Sequence, residues 1–294
     1  MYPFLLSQIL RGYWFLRPED VIAGQAIVYK LLTGEYNDKS VKSLSATTPI
    51  CQNVSDGGSS YDKAPKGSVA IISLRGTMLK YGTWCNYGTE EIASQIQAAT
   101  NHENIAAIVL DIDSGGGACN AVAPLADAIG KARSAGKPVV ASCDLAASAA
   151  YWVASCCNKI VANNGISSEF GSIGVMCSFA DARPVYEKMG YQFHEIYADQ
   201  STNKNEDFNL ALKGDYSLIK QESLNPLAIT FQESVKANRP GLKTDIPGLL
   251  SGKMFYAKSA LEVGLIDEIG SLTRAVDLAR DLSRDAIIHN YILS

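Results

Sequence analysis

Apolar runs and amphipathic segments alternate along residues 67–284. Short runs rich in β-branched residues predict buried strands at 68–74, 105–112, 138–142, 160–162 and 173–176, and alternation predicts another at 191–197. Apolar positions at helical spacing predict helices at 89–100, 121–132, 208–238, 257–265 and 271–284, and an Ala-rich turn and helix at 144–157. Strands that alternate with helices indicate right-handed βαβ crossovers, so we expect an α/β fold with a largely parallel sheet.

We expect the active-site residues to lie in two turns of this pattern. Active sites on parallel sheets collect at the carboxyl ends of the strands. The turns at 113–117 and 144–149 follow two of the predicted strands. They are therefore the first positions to search for reactive groups.

The N-terminal part of the chain has a different character. Residues 19–33 are apolar at helical spacing, which predicts an amphipathic helix that packs on the body or on a neighbouring subunit, with a membrane-surface helix as the alternative. Residues 34–66 are rich in small and polar residues, and Ser55–Ser60 indicates a flexible linker. We divide the chain into a helical arm (1–50), a linker (51–66), a main domain (67–284) and a C-terminal tail (285–294).

Composition narrows the class of protein. The chain has 294 residues, of which 47% are hydrophobic and 19% charged, and its formal net charge is −4. This supports a sizeable core, and it gives no sign of a basic nucleic-acid surface. The seven cysteines include no C-x-x-C pair and mostly lie in apolar runs, so we expect buried, reduced thiols in a reducing compartment. We expect no signal peptide, membrane span, metal or cofactor.

The residues offer few routes to catalysis. The three histidines, His102, His194 and His289, have no setting typical of a Ser-His-Asp triad. The glycine turn at 114–117 lacks the spacing of a phosphate-binding loop. The remaining possibility is a serine hydrolase that uses lysine as its base, with Ser148 at a helix start as nucleophile. From spacing alone, Ser148 could equally be a small residue that permits close helix–strand packing.

Five ordered motifs resemble the signal-peptide-peptidase family of serine–lysine proteases, including its phage prohead-maturation branch, within the Clp protease/crotonase superfamily. They are DSGGG at 113–117, GKPVV at 136–140, AASAAYW at 146–152, GSIGV at 171–175 and ALEVGLIDEIG at 260–270. The resemblance covers roughly residues 67–280 and implies a Clp protease/crotonase-like fold. By this resemblance, the main domain would be a serine–lysine protease domain.

The resemblance also implies roles for particular residues. Ser148 would be the nucleophile, and Lys204 the general base, since it is the only lysine in the matching segment; Lys188 and Lys213 are poorer candidates. Gly116 and Ala149 would supply the oxyanion-hole N–H groups, and Ser172 would position the lysine amine. Gly115 stands where the family has proline, which makes the turn looser. Glu206 and Asp207 would oppose a neutral Lys204, so we expect them to point away from it.

The resemblance further implies a polypeptide substrate bound as an added strand, a homo-oligomeric ring and a cytoplasmic location, in the host cytoplasm or inside the prohead. We expect an endopeptidase that cleaves scaffold or capsid proteins during phage head maturation. Two alternatives stay open: a soluble cellular protease of the same family, and a catalytically silent scaffold or assembly protein. A crotonase-like acyl-CoA enzyme shares the fold, but the motifs at 146–152 and 260–270 argue against it.

Overall fold

A computed structural model describes residues 14–15, 61–82, 87–179, 181 and 183–293, with the backbone alone for 14–15 and 287–293. Its strands are β1 (Trp14–Phe15), β2 (Ser68–Arg75), β3 (Ile105–Ser114), β4 (Gly117–Ala118), β5 (Val139–Ala147), β6 (Lys159–Ala162), β7 (Glu169–Gly171), β8 (Met254–Tyr256) and β9 (Glu268–Ile269). The helices are α1 (Thr89–Asn101), α2 (Val122–Ser134), α3 (Ala149–Ser155), α4 (Arg183–Lys188), α5 (Glu206–Leu212), α6 (Ser217–Ile219), α7 (Asn225–Asn238), α8 (Ala257–Glu262) and α9 (Leu272–Leu293). The predicted helix at 19–33 and the linker at 55–60 lie outside the described residues.

The main sheet has the order β2–β3–β5–β6–β9, and its neighbouring strands are parallel. Strand β7 adds to β5 in parallel and pairs with β8 in antiparallel fashion. Helices α1 and α2 connect β2 to β3 and β3 to β5, which are βαβ crossovers. The predicted α/β fold with a largely parallel sheet is confirmed.

The sheet is covered on both faces, which explains why its strands read as continuous apolar runs. On one face, the main core joins the sheet to α1, α2, α3 and α7, with Ile96, Leu125 and Phe231 fully buried. On the other face, Ala275 and Ala279 of α9 pack against Val109, Val140 and Val161. Those two alanines are four residues apart, as expected for one face of a helix.

The segment just before β2 is held by polar contacts. The ring of His102 lies 2.8 Å from a carboxylate oxygen of Asp62, and the Asn104 side-chain amide donates to the Tyr61 carbonyl at 3.2 Å. Residues 61–66, the end of the predicted linker, are thus bonded to the loop between α1 and β3 in the described structure.

Three predicted elements differ from the structure. The predicted strand at 173–176 is wrong, because β7 ends at Gly171 and the chain turns at Ser172 with φ +53°. The predicted strand at 191–197 is also wrong: the segment is exposed and forms no ladder with any described strand. The helix at 208–238 is interrupted after α5, where Gly214 adopts φ +88°, and then runs without a gap through α6, a π-helical turn and α7.

The last helix is longer than expected. The prediction ended it at residue 284, whereas α9 runs from Leu272 to Leu293 and includes the segment assigned to a tail.

Candidate active site

Ser148 occupies a sharp junction between strand β5 and helix α3. Its backbone has φ +54° and ψ −121°, a conformation that residues with a side chain rarely adopt. The Ser148 N–H donates to the Gly171 carbonyl at 2.8 Å, and its carbonyl accepts the Trp152 N–H at 3.0 Å. Ser148 is buried, with 1% of its surface exposed. Strained turns of this kind concentrate at functional sites, so Ser148 is marked out beyond its sequence motif.

The sheet register places three strand ends beside one another at this junction. Ser114 at the end of β3 pairs with Ala146 of β5, and Ala147 pairs with Gly171 at the end of β7. The turns after β3, β5 and β7 therefore meet at the carboxyl edge of the sheet, as expected for a site on parallel strands. These turns carry Gly116, Ser148 and Ser172, three of the five predicted site residues.

The helix start supplies one predicted oxyanion donor. Ala149 is the first residue of α3 and is fully buried. N–H groups of a first helical turn have no partner within the helix, so the Ala149 N–H is available to an anion beside Ser148.

The second predicted donor, Gly116, is engaged by its own turn. Gly116 has φ +105°, and its N–H donates to the Ser114 hydroxyl at 3.1 Å. That hydroxyl in turn donates to the Gly76 carbonyl at 2.5 Å. Ser114 was not singled out from the sequence, where it reads only as part of a common turn motif. Its hydroxyl restrains a turn that has Gly115 in place of the family's proline.

Gly117 has almost no room around it. A Cβ at this position would overlap the backbone of Met78, which lies against β4 through hydrogen bonds on either side of Gly117. The Met78 N–H donates to the Gly116 carbonyl and the Ala118 N–H donates to the Met78 carbonyl, both at 2.9 Å. This close approach of two backbones explains the third glycine of the turn.

Ser172 follows β7 directly and shares the strained character of Ser148. It adopts φ +53°, and its N–H donates to the Lys253 carbonyl at 3.0 Å. Strand β8, which follows Lys253, thus fixes the turn next to Ser148. Ser172 lies in the turn next to Ser148, and its role in positioning the lysine amine stays a prediction.

Lys204 lies in different surroundings from Ser148. It is exposed, and it lines a shallow hollow made only by residues between 197 and 213, including Lys213. Among the described residues, its amine has neither a hydrogen bond nor an ion pair, and it does not bond to Ser148. The carboxylates of Glu206 and Asp207 bond to Asn203 and to the Phe208 N–H instead. The pairing of Lys204 with Ser148 therefore stays a prediction.

Cysteine chemistry is disfavoured at this site. Burial raises the pKa of the Cys119 thiol to about 12, and burial also raises the pKa values of Cys143 and Cys157. Thiols that stay protonated are poor nucleophiles. In the described part of the chain all cysteines are free, and Cys51 and Cys85 lie outside it.

The described residues lack two further features. No helix there is both long enough and apolar enough to span a bilayer. No group of three or more potential ligands that could hold a metal ion was found in those ranges either.

Comparisons with known proteins point to one class. A family model described as Peptidase family S49 matches residues 131–285. Protease 4 of Haemophilus influenzae is 27% identical over 216 residues, which are 73% of this chain and 34% of that protein. Head-tail preconnector protein GP5 of Enterobacteria phage P21 is 30% identical over 71% of this chain and 42% of its own length. Capsid assembly protease C of Escherichia phage lambda is 24% identical over 88% of this chain and 60% of its own.

The chain spans between 34% and 60% of the length of these three relatives. Among solved structures, a membrane-bound stomatin-specific protease with a bound substrate peptide matches 71% of this chain and 78% of its own, with 13% identity and a TM-score of 0.41. An enoyl-CoA hydratase/isomerase family protein from Silicibacter pomeroyi matches 73% of this chain and 80% of its own, also with 13% identity and a TM-score of 0.41. Similarity at this level supports no conclusion about substrate.

Proposed function

Because the chain belongs to peptidase family S49, we propose that it is a serine endopeptidase with Ser148 as its nucleophile. The observation that carries this proposal is the strained backbone of Ser148 at the junction of β5 and α3. This conformation occurs at the carboxyl edge of the sheet, where a buried serine directly precedes the N–H groups of an α-helix start. A serine kept only for close packing would not require this conformation.

The proposed reaction uses groups from the turns after β3 and β5 together with Lys204 of the exposed segment. The Ser148 Oγ attacks the scissile carbonyl carbon while the neutral Lys204 amine takes its proton. The N–H groups of Ala149 and Gly116 donate to the developing oxyanion. The protonated lysine then gives its proton to the leaving amine, and water hydrolyses the acyl-enzyme by the same route. The Gly116 N–H must turn from the Ser114 hydroxyl to serve the oxyanion.

Lys204 can act as a base only if its surroundings change from those of the single chain. A lysine amine has a reference pKa of about 10.4, and lowering it to about 7.5 requires about 4 kcal/mol of preference for the neutral form. Burial supplies such a preference, but Lys204 is exposed in one chain. We therefore propose that a second copy of the chain covers Lys204 and completes the dyad.

Exposed apolar side chains on the same segment support this second copy. Ile196 is 94% exposed and Met189 67%, and other large apolar side chains of the segment are also exposed. They are Phe179, Val185, Tyr186, Tyr191, Phe193, Tyr197 and Phe208. A contiguous stretch with this many exposed apolar groups is typical of a protein–protein interface.

The substrate is proposed to be a scaffold or capsid protein of a phage head. Support comes from the relatives named as a capsid assembly protease and as a head-tail preconnector protein. The matches to Protease 4 favour a cellular protease of the same family as the second candidate. Portal and capsid genes beside this gene would support the first, and their absence would favour the second.

A serine-directed activity probe tests whether the chain is an enzyme at all. Wild-type protein should be labelled covalently at residue 148, and Ser148→Ala should not be labelled. Lys204→Ala should lose peptide cleavage with little change in its thermal melting curve, since Lys204 is exposed. Ser178→Ala, a serine outside the three turns, is the control for labelling. Equal labelling of wild type and Ser148→Ala would overturn the proposal and favour a silent assembly protein.

A further inference from the structure

Strand β4 has two edges, and both are occupied in the described structure. Met78 lies along one edge in parallel orientation. Trp14–Phe15 pairs with the other edge in antiparallel orientation, with Trp14 opposite Ala118 and Phe15 opposite Gly117. The second partner comes from the N-terminal arm, far from β4 in the sequence.

Strand β4 borders the candidate active site. Gly117 is the next residue after Gly116, the proposed oxyanion donor, and Ser114 of the same turn pairs with β5 two residues before Ser148. An extended peptide laid along β4 would therefore bring its backbone beside the nucleophile. Strand pairing uses backbone groups, so it accepts many sequences and leaves selectivity to side-chain pockets.

We infer that Trp14–Phe15 is a built-in competitor that occupies the peptide-binding edge of β4 until a substrate displaces it. This inference rests on the proposed function and names an internal ligand for the same site. A backbone N–H or C=O of β4 that pairs with β1 cannot pair with a substrate strand at the same time. Binding of the arm and binding of substrate at this edge are therefore mutually exclusive.

The pairing of β1 with β4 is small enough to be exchanged. Only two residues of β1 have a partner in β4, so a substrate strand has to replace few backbone hydrogen bonds to take this edge. A weak intramolecular ligand still competes well, because tethering gives it an effective concentration of about millimolar. The arm would then raise the apparent KM for peptide substrates and leave kcat unchanged, since a saturating substrate displaces it.

The test breaks the pairing at one residue. Phe15→Pro removes the backbone N–H and fixes φ near −65°, away from the antiparallel strand value of about −140°. Phe15→Ala is the matched comparison, because it also removes the aromatic ring but keeps the N–H. We expect the KM for a short peptide to be about three- to tenfold lower in Phe15→Pro than in Phe15→Ala, with equal kcat, which is the effect of losing about one hydrogen bond.

A binding measurement separates this inference from the proposed activity. Both substitutions are placed in a Ser148→Ala background, and the affinity for a fluorescent extended peptide is measured by anisotropy. Phe15→Pro should bind it about three- to tenfold more tightly than Phe15→Ala, and a synthetic peptide with the sequence of residues 11–19 should displace it. Equal affinities of the Phe15→Pro and Phe15→Ala variants would overturn the inference, even if the enzyme cleaves peptides.

Failure of the proposed function has a different signature. In that case no variant cleaves peptides, while the anisotropy difference between Phe15→Pro and Phe15→Ala still reports on the arm. Intact-mass measurement adds one further outcome. Cleavage within residues 11–19 of the wild-type chain, absent in Ser148→Ala, would make the arm a substrate and would overturn its role as a competitor.

Discussion

At residue 148, the geometry proposed for catalysis conflicts with what a stable backbone prefers. A residue with a side chain at φ +54° and ψ −121° carries a cost of about 1–3 kcal/mol. The hydrogen bonds of its N–H to Gly171 and of its carbonyl to Trp152 hold it there. The fold therefore gives up stability at the position where the hydroxyl is needed.

Two inactive variants can measure this cost. Ser148→Gly should unfold with a free energy about 1 kcal/mol higher than Ser148→Ala, because glycine adopts positive φ without the Cβ penalty and this outweighs its greater unfolded-state freedom. Urea unfolding of both variants provides the comparison, and neither retains the reactive hydroxyl. Lower stability of the glycine variant would mean that residue 148 is not strained.

The site residues differ in how far the sequence could locate them. Ser148 lies in a motif between a strand and a helix, so local pattern and resemblance together placed it at the sheet edge. The role of Ser114 depends on a contact with Gly76, which is 38 residues away in the chain. Lys204 lies in an exposed irregular segment whose position relative to Ser148 no local pattern encodes. Long-range packing decides both cases.

At the scale of elements, the motif at 260–270 connects several elements through the side chain of Asp267. Its carboxylate accepts hydrogen bonds from Arg239 at 2.7 Å, from the Ile160 N–H at 2.8 Å and from Lys159 at 3.1 Å. Burial alone would raise the pKa of Asp267, but the bonds from Arg239, Ile160 and Lys159 outweigh it and hold that pKa below its usual value. One side chain, directly before β9, thereby joins the C-terminal end of α7 to the start of β6.

Replacement of this carboxylate should have a pH-dependent effect on stability. Asp267→Asn is expected to lower the unfolding free energy by about 3 kcal/mol at pH 7, because it leaves Arg239 partly buried and unpaired. Because the pKa of Asp267 is lower in the folded than in the unfolded chain, its carboxylate stabilises the fold at pH values above the unfolded-state pKa of about 3.9. This stabilisation is lost as the pH falls through the folded-state pKa. The difference between wild type and variant should therefore shrink below about pH 4.

The control for this experiment is Asp127→Asn, whose carboxylate pairs with Lys131 on the exposed face of α2. Exposed pairs of this kind contribute little, so its unfolding free energy should stay within about 1 kcal/mol of wild type. Chemical unfolding at a series of pH values gives both results. A loss of similar size in the two variants would remove the special role of Asp267.

Some elements could be predicted and others could not, for a physical reason. Strands β3 and β5 are buried on both faces, so their composition reveals them without knowledge of the partners. The segment 191–197 alternates aromatic and polar residues like a strand, yet alternation only states that one face is apolar. It does not state whether that face meets a sheet of the same chain, and here Tyr191 and Phe193 remain exposed.

At the scale of the whole molecule, the exposed segment around Lys204 and the buried Ser148 are complementary halves of one proposed site. The sheet, its helices and the three turns are complete within one chain. The proposed base, Lys204, lies apart from them on a segment rich in exposed apolar groups. An assembly of several copies would cover that surface and desolvate the amine in one step.

Mixed assemblies can show whether two copies share a site. Ser148→Ala and Lys204→Ala chains, each inactive alone, are produced together with different affinity tags and purified through both. We expect about a quarter of wild-type activity, since random pairing of two equal populations restores one site in four. Sedimentation should show that each variant forms particles larger than the 31.5 kDa chain. Mixed assemblies of proper size without activity would show that the dyad is not shared between copies.

The crowding at Gly117 sets a narrow tolerance for this architecture. Adding one methyl group there would force the Met78 backbone away from β4 and shift the adjoining turn, although no reacting atom would be changed. Substitution of this glycine during evolution could thus inactivate a family member whose nucleophile and base are both intact. A survey that classifies such proteins as active or inactive from their catalytic side chains alone would count this member as active.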